Sequence, residues 1–357
     1  MRVLRGDGAP VLITGGAGFV GCNLAAAFAA AGRRVRVLDD LSRPGVERNA
    51  AWLAEHWGER LELAQESLGT TARLAQVLED VAAVYHFAAQ VAVTTSFERP
   101  LLDFASNLEG TFRLLEAVRG SRHRPHVIFA STNKVYGDLA GLPLEEGEWR
   151  YAAPAGTAID ESQPLSFHTP YGCSKGAADQ YVLDYAASFG LSATVLRMSC
   201  MYGPRQFGTE DQGWVAHFLR RALAGEPIDI YGNGKQVRDI LFVDDLVRAQ
   251  QAALGRMAAL SGRPWNLGGG MPCAVSLLEV LGLIETATGT RPAVRFHPPR
   301  AGDQRWYVSD HGAFTRVTGW RPRVRPAEGI RRLHAWLAGD PARALLPADV
   351  RPAMGEP

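Results

Sequence analysis

A chain of 357 residues, 46% hydrophobic and 21% charged, can bury a sizeable core and has length for two lobes. Its net charge of +1, with acids and bases interspersed, provides no electrostatic pull toward nucleic acid or a membrane surface. Cys22, Cys173, Cys200 and Cys273 lack C-x-x-C spacing, and no charged start with an apolar h-region or bilayer-length run is seen; a reduced, cytoplasmic setting without metal or disulfides is expected.

The elements alternate. Val11 to Thr14 reads as a strand, Gly18 to Ala31 as an Ala-rich helix closed by Gly32, and Val35 to Leu38 as a second strand ending at Asp39-Asp40. Leu61 to Ala64 makes a third strand, and a helix runs from about Thr71 to Glu79. Ala83 to Ala89 is a fourth strand, Pro100 to Val118 a long helix, Pro125 to Ser131 a fifth strand. A polar insertion, Asp138 to Thr169, precedes a helix from Tyr171 to Phe189 and a sixth strand, Ala193 to Met198. Strands apolar on both faces, alternating with helices, predict an α/β fold with a doubly wound parallel Rossmann sheet. After Gly203-Pro204 the pattern loosens into a smaller substrate-binding lobe. The expected division is 1–202 plus about 238–270 for the sheet domain and 203–237 plus 271–346 for the lobe. Residues 347–357 are read as a flexible tail.

Three motifs carry chemistry. Gly15, Gly18 and Gly21 sit between a strand and a helix, where backbone N–H groups can receive a pyrophosphate. The spacing is G-x-x-G-x-x-G, and Asp39 follows at the distance expected of a ribose-binding acid, which favours NAD over NADP. Arg43 points the other way if it hosts a 2′-phosphate, although a solvated loop charge is the blander reading. Phe87-Ala88-Ala89-Gln90 ends the fourth strand, either where a dinucleotide passes or as ordinary core. Asn107, on an otherwise apolar helix, either faces solvent or holds backbone near the catalytic groups.

The third motif is Tyr171 with Lys175 four residues later, downstream of Thr132. One helix face then brings an ammonium near a phenol, and that charge is expected to lower the phenol toward neutrality, where it acts as a base. Thr132 ends an apolar strand and can point into the same crevice. Arg238, at the mouth of a buried strand, and Arg305 could clamp a diphosphate, though most arginines are solvated. His168 is a further candidate contact. Glu210, Asp211 and His217 lack ligand-like company, so no metal is expected.

With Ser131-Thr132-Asn133-Lys134-Val135-Tyr136-Gly137, Tyr171-Gly172-Cys173-Ser174-Lys175 and Tyr202-Gly203-Pro204-Arg205-Gln206 in place, residues 10–335 resemble the extended short-chain dehydrogenase/reductase family of nucleotide-sugar epimerases and dehydratases. Within that family the chain is most similar to the branch that inverts C2 of a CDP-hexose. The resemblance implies tightly held NAD, regenerated each turnover, with Thr132, Tyr171 and Lys175 catalytic. It places Phe19, Val20, Asp40, Ser42, Glu66, Ser67, Ala130, Ser131 and Met198 beside the cofactor. It places Asn133, Lys134, Ser199, Cys200, Arg205 and Gln206 beside the sugar nucleotide. Glu66-Ser67 departs from the usual Asp followed by Ile or Val at the adenine, and Cys200 stands where many 4-epimerases carry Asn. Asn133 and Lys134 replace the acid of the 4,6-dehydratases, which argues against dehydration. A UDP- or dTDP-sugar 4-epimerase with the same catalytic set is the alternative, and a non-catalytic NAD-binding regulator the reading from another class. Apolar residues over more than one face of the Pro100 to Val118 and Tyr171 to Phe189 helices (Leu101, Phe104, Leu108, Phe112, Leu115, Tyr181, Val182, Tyr185) predict a homodimer, with a homotetramer possible.

Overall fold

A computed structural model describes residues 8–300 and 302–339, so the expected tail at 347–357 lies outside the described residues. Seven parallel strands form the central sheet: β1 (Val11–Thr14), β2 (Val35–Asp39), β3 (Leu61–Gln65), β4 (Ala83–His86), β5 (His126–Thr132), β6 (Ala193–Met198) and β7 (Pro264–Leu267). Their spatial order is β7-β6-β5-β4-β1-β2-β3, the doubly wound Rossmann arrangement. The period-two alternation of a strand divides its side chains between two cores. Val11, Ile13, Val35, Val37 and Ile128 enter the core beneath the Phe19–Ala30 and Val243–Gly255 helices. Leu12, Leu38, Val84, Val127 and Phe129 enter the other, beneath the Thr169–Phe189 helix and the helical segment after Pro100. Small residues, Ala25 to Ala27 and Ala29, line the buried face of the first helix.

The segment after Pro100 is not one α-helix. Pro100–Phe104 and Gly110–Gly120 are α-helical, and Ala105–Glu109 between them is a π-helical turn. The sequence cannot show this, because one residue too many per turn is no change in composition. A Val46–Trp57 helix between β2 and β3 also went unpredicted. The polar insertion holds only the Glu145–Glu146 and Tyr151–Ala152 ladder.

A second sheet forms around Val237–Phe242. It pairs antiparallel with Ala274–Ser276 and parallel with Trp306–Tyr307 and Cys200–Tyr202. This strand lies outside the central sheet, while the Val243–Gly255 helix that follows it packs on the Phe19–Ala30 helix. Ile228–Tyr231 pairs in parallel with Val294–His297.

A buried ion pair seats the Thr169–Phe189 helix. Arg197 of β6 donates from Nε and Nη2 to both carboxylate oxygens of Asp179, each at 2.9 Å, and Ser131 of β5 donates to Oδ2 at 2.7 Å. Arg197→Met would strand the Asp179 charge in the core. It should cost about 3–5 kcal/mol, read as a lowered urea midpoint; an unchanged midpoint would show that the pair contributes nothing net.

Candidate active site

The strand ends of β1, β2, β4, β5 and β6 open into a cavity of about 1000 Å³. Its floor is the turn after β1. Gly15 has φ +66°, and a Cβ there would lie 2.7 Å from the Ala88 backbone nitrogen. At Gly21 a Cβ would lie 2.4 Å from the Gly15 carbonyl oxygen. Side chains at either position would push the turn away from β4 or from the first helix. Gly18 is the N-cap of the Phe19–Ala30 helix and offers no side-chain cap, so first-turn N–H groups at Phe19, Val20 and Gly21 remain for a ligand along the cavity wall.

Asp39, ending β2, accepts from Ala17 N and Leu41 N, both at 2.9 Å. Burial pushes its carboxyl up, against the pull of those two bonds. Asp40 accepts from Ser42, and Arg43 donates to Gln212 at 2.9 Å from across the cavity. Burial lowers Arg43, with Asp39 opposing. A helix N-terminus for a diphosphate and a carboxylate one strand over for a ribose diol fit a dinucleotide. Glu66 and Ser67 also line the cavity, but Glu66 is held by Arg73. Phe87, Ala88, Ala89 and Gln90 form the wall between this end and the catalytic groups, with Ala130, Ser131 and Met198 beyond them.

Thr132, Tyr171 and Lys175 all line the cavity. Thr132 ends β5, and its hydroxyl accepts from Lys134 N at 3.2 Å and donates to Asn133 Oδ1 at 3.3 Å. The electrostatics correct the expected order. Burial pushes the phenol up to about 12, the Thr132 hydroxyl opposes this, and Asp103 adds to the rise. Burial pushes Lys175 down to about 7, against Asp179 and Asp103. Exclusion of water penalises both charged forms, so the ammonium that helical spacing brings near the phenol is itself disfavoured. The Lys175 ammonium nitrogen stands 4.1 Å from the centroid of the Phe129 ring.

Asn107 lies behind the cavity wall rather than on it, buried in the π-helical turn. Its Oδ1 accepts from Gln90 N at 2.8 Å; its Nδ2 donates to Asp103 Oδ1 at 3.1 Å and to Ser174 Oγ at 3.0 Å. Asp103 also takes the hydroxyl of Ser174, the residue before Lys175, and the side-chain amide of Gln90. Of the two readings of Asn107 the structure thus shows the backbone-holding one. Asp103, Ser174, Asp179 and Arg197 went unnoticed in the sequence, for single polar residues on apolar helices and strands carry no local signal.

On the substrate side Asn133, Lys134, Ser199, Cys200 and Gln206 line the cavity with Trp214. Gln206 is 3% exposed, donates to Met201 O at 3.1 Å, and its Oε1 has no partner among the described residues. Lys134 donates to Gly302 O at 3.2 Å and lies 3.7 Å from Asp303; burial lowers it and Asp303 opposes. Four expected contacts lie off the cavity lining. Arg238 is buried behind Lys134 and donates to Asp303 at 2.6 Å, so that an acid in the Gly302-Asp303-Gln304 run already meets its charge. Arg305 is exposed, with its guanidinium 5.8 Å from the Tyr151 ring centroid. Arg205 stacks 3.8 Å over Trp52 on the outer side of the first helices. His168 is exposed, beside Ser166 and Asp138.

A parallel sheet with a glycine cradle, an acid at the end of the next strand and a buried Thr/Tyr/Lys group fits a nicotinamide-dinucleotide enzyme. Residues 11–268 match the model of the NAD dependent epimerase/dehydratase family, and the chain belongs to that family. It is 41% identical over 338 residues to CDP-paratose 2-epimerase of Salmonella typhi, covering 91% of this chain and 98% of that one. It is 34% identical over 324 residues to UDP-glucose 4-epimerase of Mycolicibacterium smegmatis, covering 90% and 96%. Among solved structures, UDP-glucuronic acid 4-epimerase from Bacillus cereus, in complex with UDP-glucuronic acid and NAD, superposes with TM-score 0.80 at 26% identity, covering 92% and 99%. UDP-glucose 4-epimerase of Thermus thermophilus, in complex with NAD, gives 0.78 at 32% identity with the same coverage.

Two outcomes follow from this geometry. Asp39→Ala should weaken NAD and relax discrimination against NADP, measured by nucleotide titration; unchanged preference would move the ribose contact to Asp40. For Lys175 the folded value of about 7 lies below the ordinary lysine value of 10.5, so between them the unfolded chain binds more protons. Stability of protein freed of nucleotide should therefore rise as pH rises from about 7 toward 10. Lys175→Met should flatten that rise and stabilise the protein at pH 7 by roughly 1–4 kcal/mol in urea denaturation. An equal slope in both proteins would show that Lys175 is not the titrating group.

Proposed function

We propose that the protein inverts C2 of a CDP-hexose of the CDP-paratose/CDP-tyvelose type. The observation that carries this reading is the buried Thr132, Tyr171 and Lys175 group lining one cavity with a dinucleotide cradle, in a chain 41% identical to a CDP-paratose 2-epimerase. Tyr171 takes the proton of the sugar hydroxyl at the carbon being inverted and later gives it back. Thr132 stands beside the phenol and within reach of the same hydroxyl. Lys175 and Tyr171 hold one transferable proton between them, so a shift from amine and phenol to ammonium and phenolate moves charge without taking a proton from solvent. NAD, when bound, supplies hydride removal and return at that carbon, and its oxidised ring adds a positive charge that favours the phenolate. Asp39, Gly15, Gly18 and Gly21 hold the dinucleotide; Ser131, Met198 and the wall from Phe87 to Gln90 exclude water around its reactive end. Gln206, with its unpartnered Oε1, and Lys134 contact the sugar nucleotide. Neither Asn133 nor Lys134 carries a carboxyl, so the acid/base pair that eliminates water in the 4,6-dehydratases is not reproduced. Cys200 at the cavity wall leaves room that an Asn would fill.

The 4-epimerase reading is favoured by the likeness to UDP-sugar 4-epimerases. Supplying CDP-, UDP- and dTDP-hexoses and locating the inverted carbon by NMR separates the two: inversion at C4 of a UDP- or dTDP-sugar would replace the C2 reading. Tyr171→Phe should keep nucleotide binding and lose rate by about 10² to 10⁴. Near-normal turnover of that variant would remove Tyr171 from the mechanism.

The minimal unit is a two-fold dimer. Leu115, Val182 and Tyr185 are core, but Leu101 is 84% exposed, Phe104 51%, Phe112 40% and Tyr181 42%, an apolar stripe left over by the sheet. Light scattering at micromolar concentration should give at least twice 38.6 kDa, and Phe104→Arg should shift the mass toward one chain. A wild-type mass of one chain would refute the dimer.

A further inference from the structure

His86 ends β4, 1% exposed, and takes no part in the chemistry above. Its two ring nitrogens each meet a threonine. Nδ1 lies 2.7 Å from Thr14 Oγ1 on β1, and Nε2 lies 2.9 Å from Thr111 Oγ1 on the Gly110–Gly120 helix. The neighbours of these hydroxyls fix which way every proton points. Thr111 Oγ1 donates to the Asn107 carbonyl at 2.6 Å, so it accepts from His86 Nε2–H. Thr14 Oγ1 accepts from Ala88 N–H at 3.3 Å and has its own proton to give to Nδ1. The result is one directional chain: Ala88 N–H to Thr14, Thr14 to His86, His86 to Thr111, Thr111 to Asn107. A neutral imidazole with its proton on Nε2 satisfies every link, and an imidazolium breaks the Thr14 link. Burial and the nearby Lys175 both oppose the imidazolium, pushing His86 down to about 3, and the Phe129 ring 5.6 Å away closes a further side.

The two ends of this chain matter. Ala88 is where Gly15 presses on β4 in the dinucleotide cradle. Asn107 holds Gln90 of the cavity wall and Ser174 beside Lys175. We infer that His86 is a positioning residue that, as the Nε2–H tautomer, ties the cofactor cradle to the π-helical turn of Asn107 and so fixes the spacing between cradle and the Tyr171/Lys175 pair. This rests on the reading of that pair as the catalytic group.

The tautomer is read directly on the wild-type protein by ¹⁵N-histidine NMR at neutral pH: His86 should show a protonated Nε2 and an accepting Nδ1, and a protonated Nδ1 would overturn the inference. Two substitutions split the chain. His86→Asn can still accept from Thr14 but is too short to reach Thr111. It should lower kcat by about 10- to 100-fold with the Kd for NAD nearly unchanged. His86→Gln can still donate to Thr111 but leaves Thr14 unanswered, so its main loss should be in NAD affinity. Thr111→Val should reproduce the kcat loss of His86→Asn. A merely structural histidine would lower the melting temperature in all three variants while leaving kcat per folded molecule within twofold of wild type, and that result would also overturn it. If the wild-type protein turns over no nucleotide sugar, the proposed function fails. The NMR tautomer and the NAD affinities of the two His86 variants still decide the relay.

Discussion

The pair between Asp179 and Arg197 decides where the helix that carries Tyr171 and Lys175 lies. Both side chains are almost wholly out of water, and two parallel hydrogen bonds with a third from Ser131 satisfy the carboxylate. Helix, β5 and β6 are joined by one polar contact in an otherwise apolar layer. An apolar layer alone tolerates a sliding helix, whereas a bidentate contact has one register. Tyr171 and Lys175, two turns and one turn before Asp179, inherit that register. So does Thr132, the residue after Ser131.

The same burial sets the chemistry. Water kept away from Lys175 and Tyr171 makes both the ammonium and the phenolate costly, which pulls Lys175 down to about 7 and pushes the Tyr171 phenol up. Such a pair responds strongly to any charge brought beside it, since a low dielectric amplifies each interaction. The cost is stability around neutral pH, an exchange of stability for a responsive site.

A polar scaffold stands behind the reacting groups. Asp103, Asn107, Ser174 and Gln90 bond one another across three elements, and the π-helical turn turns Asn107 inward to meet them. On the substrate side Asp303 performs a similar task, collecting Lys134 and Arg238 on one carboxylate. Arginines expected beside the sugar nucleotide are here partly spent on internal acids and aromatic faces, Arg238 on Asp303 and Arg205 on Trp52.

Local rules made much of this legible. Gly15, Gly18 and Gly21 stand out because a sharp turn admits no side chain; Tyr171 and Lys175 because helical spacing puts them on one face; β1, β2, β4, β5 and β6 because a strand covered on both sides must be apolar throughout. The sequence by itself determined the strands, the cradle and the Tyr171/Lys175 pair, each of which obeys a rule spanning fewer than about ten residues. Only the tertiary structure decided that Asn107 faces inward, that His86 joins Thr14 to Thr111, that Arg238 meets Asp303, and that burial rather than Lys175 dominates the phenol. Those outcomes rest on partners 17 to 72 positions apart and on the exclusion of water, and neither leaves a periodic trace along the chain.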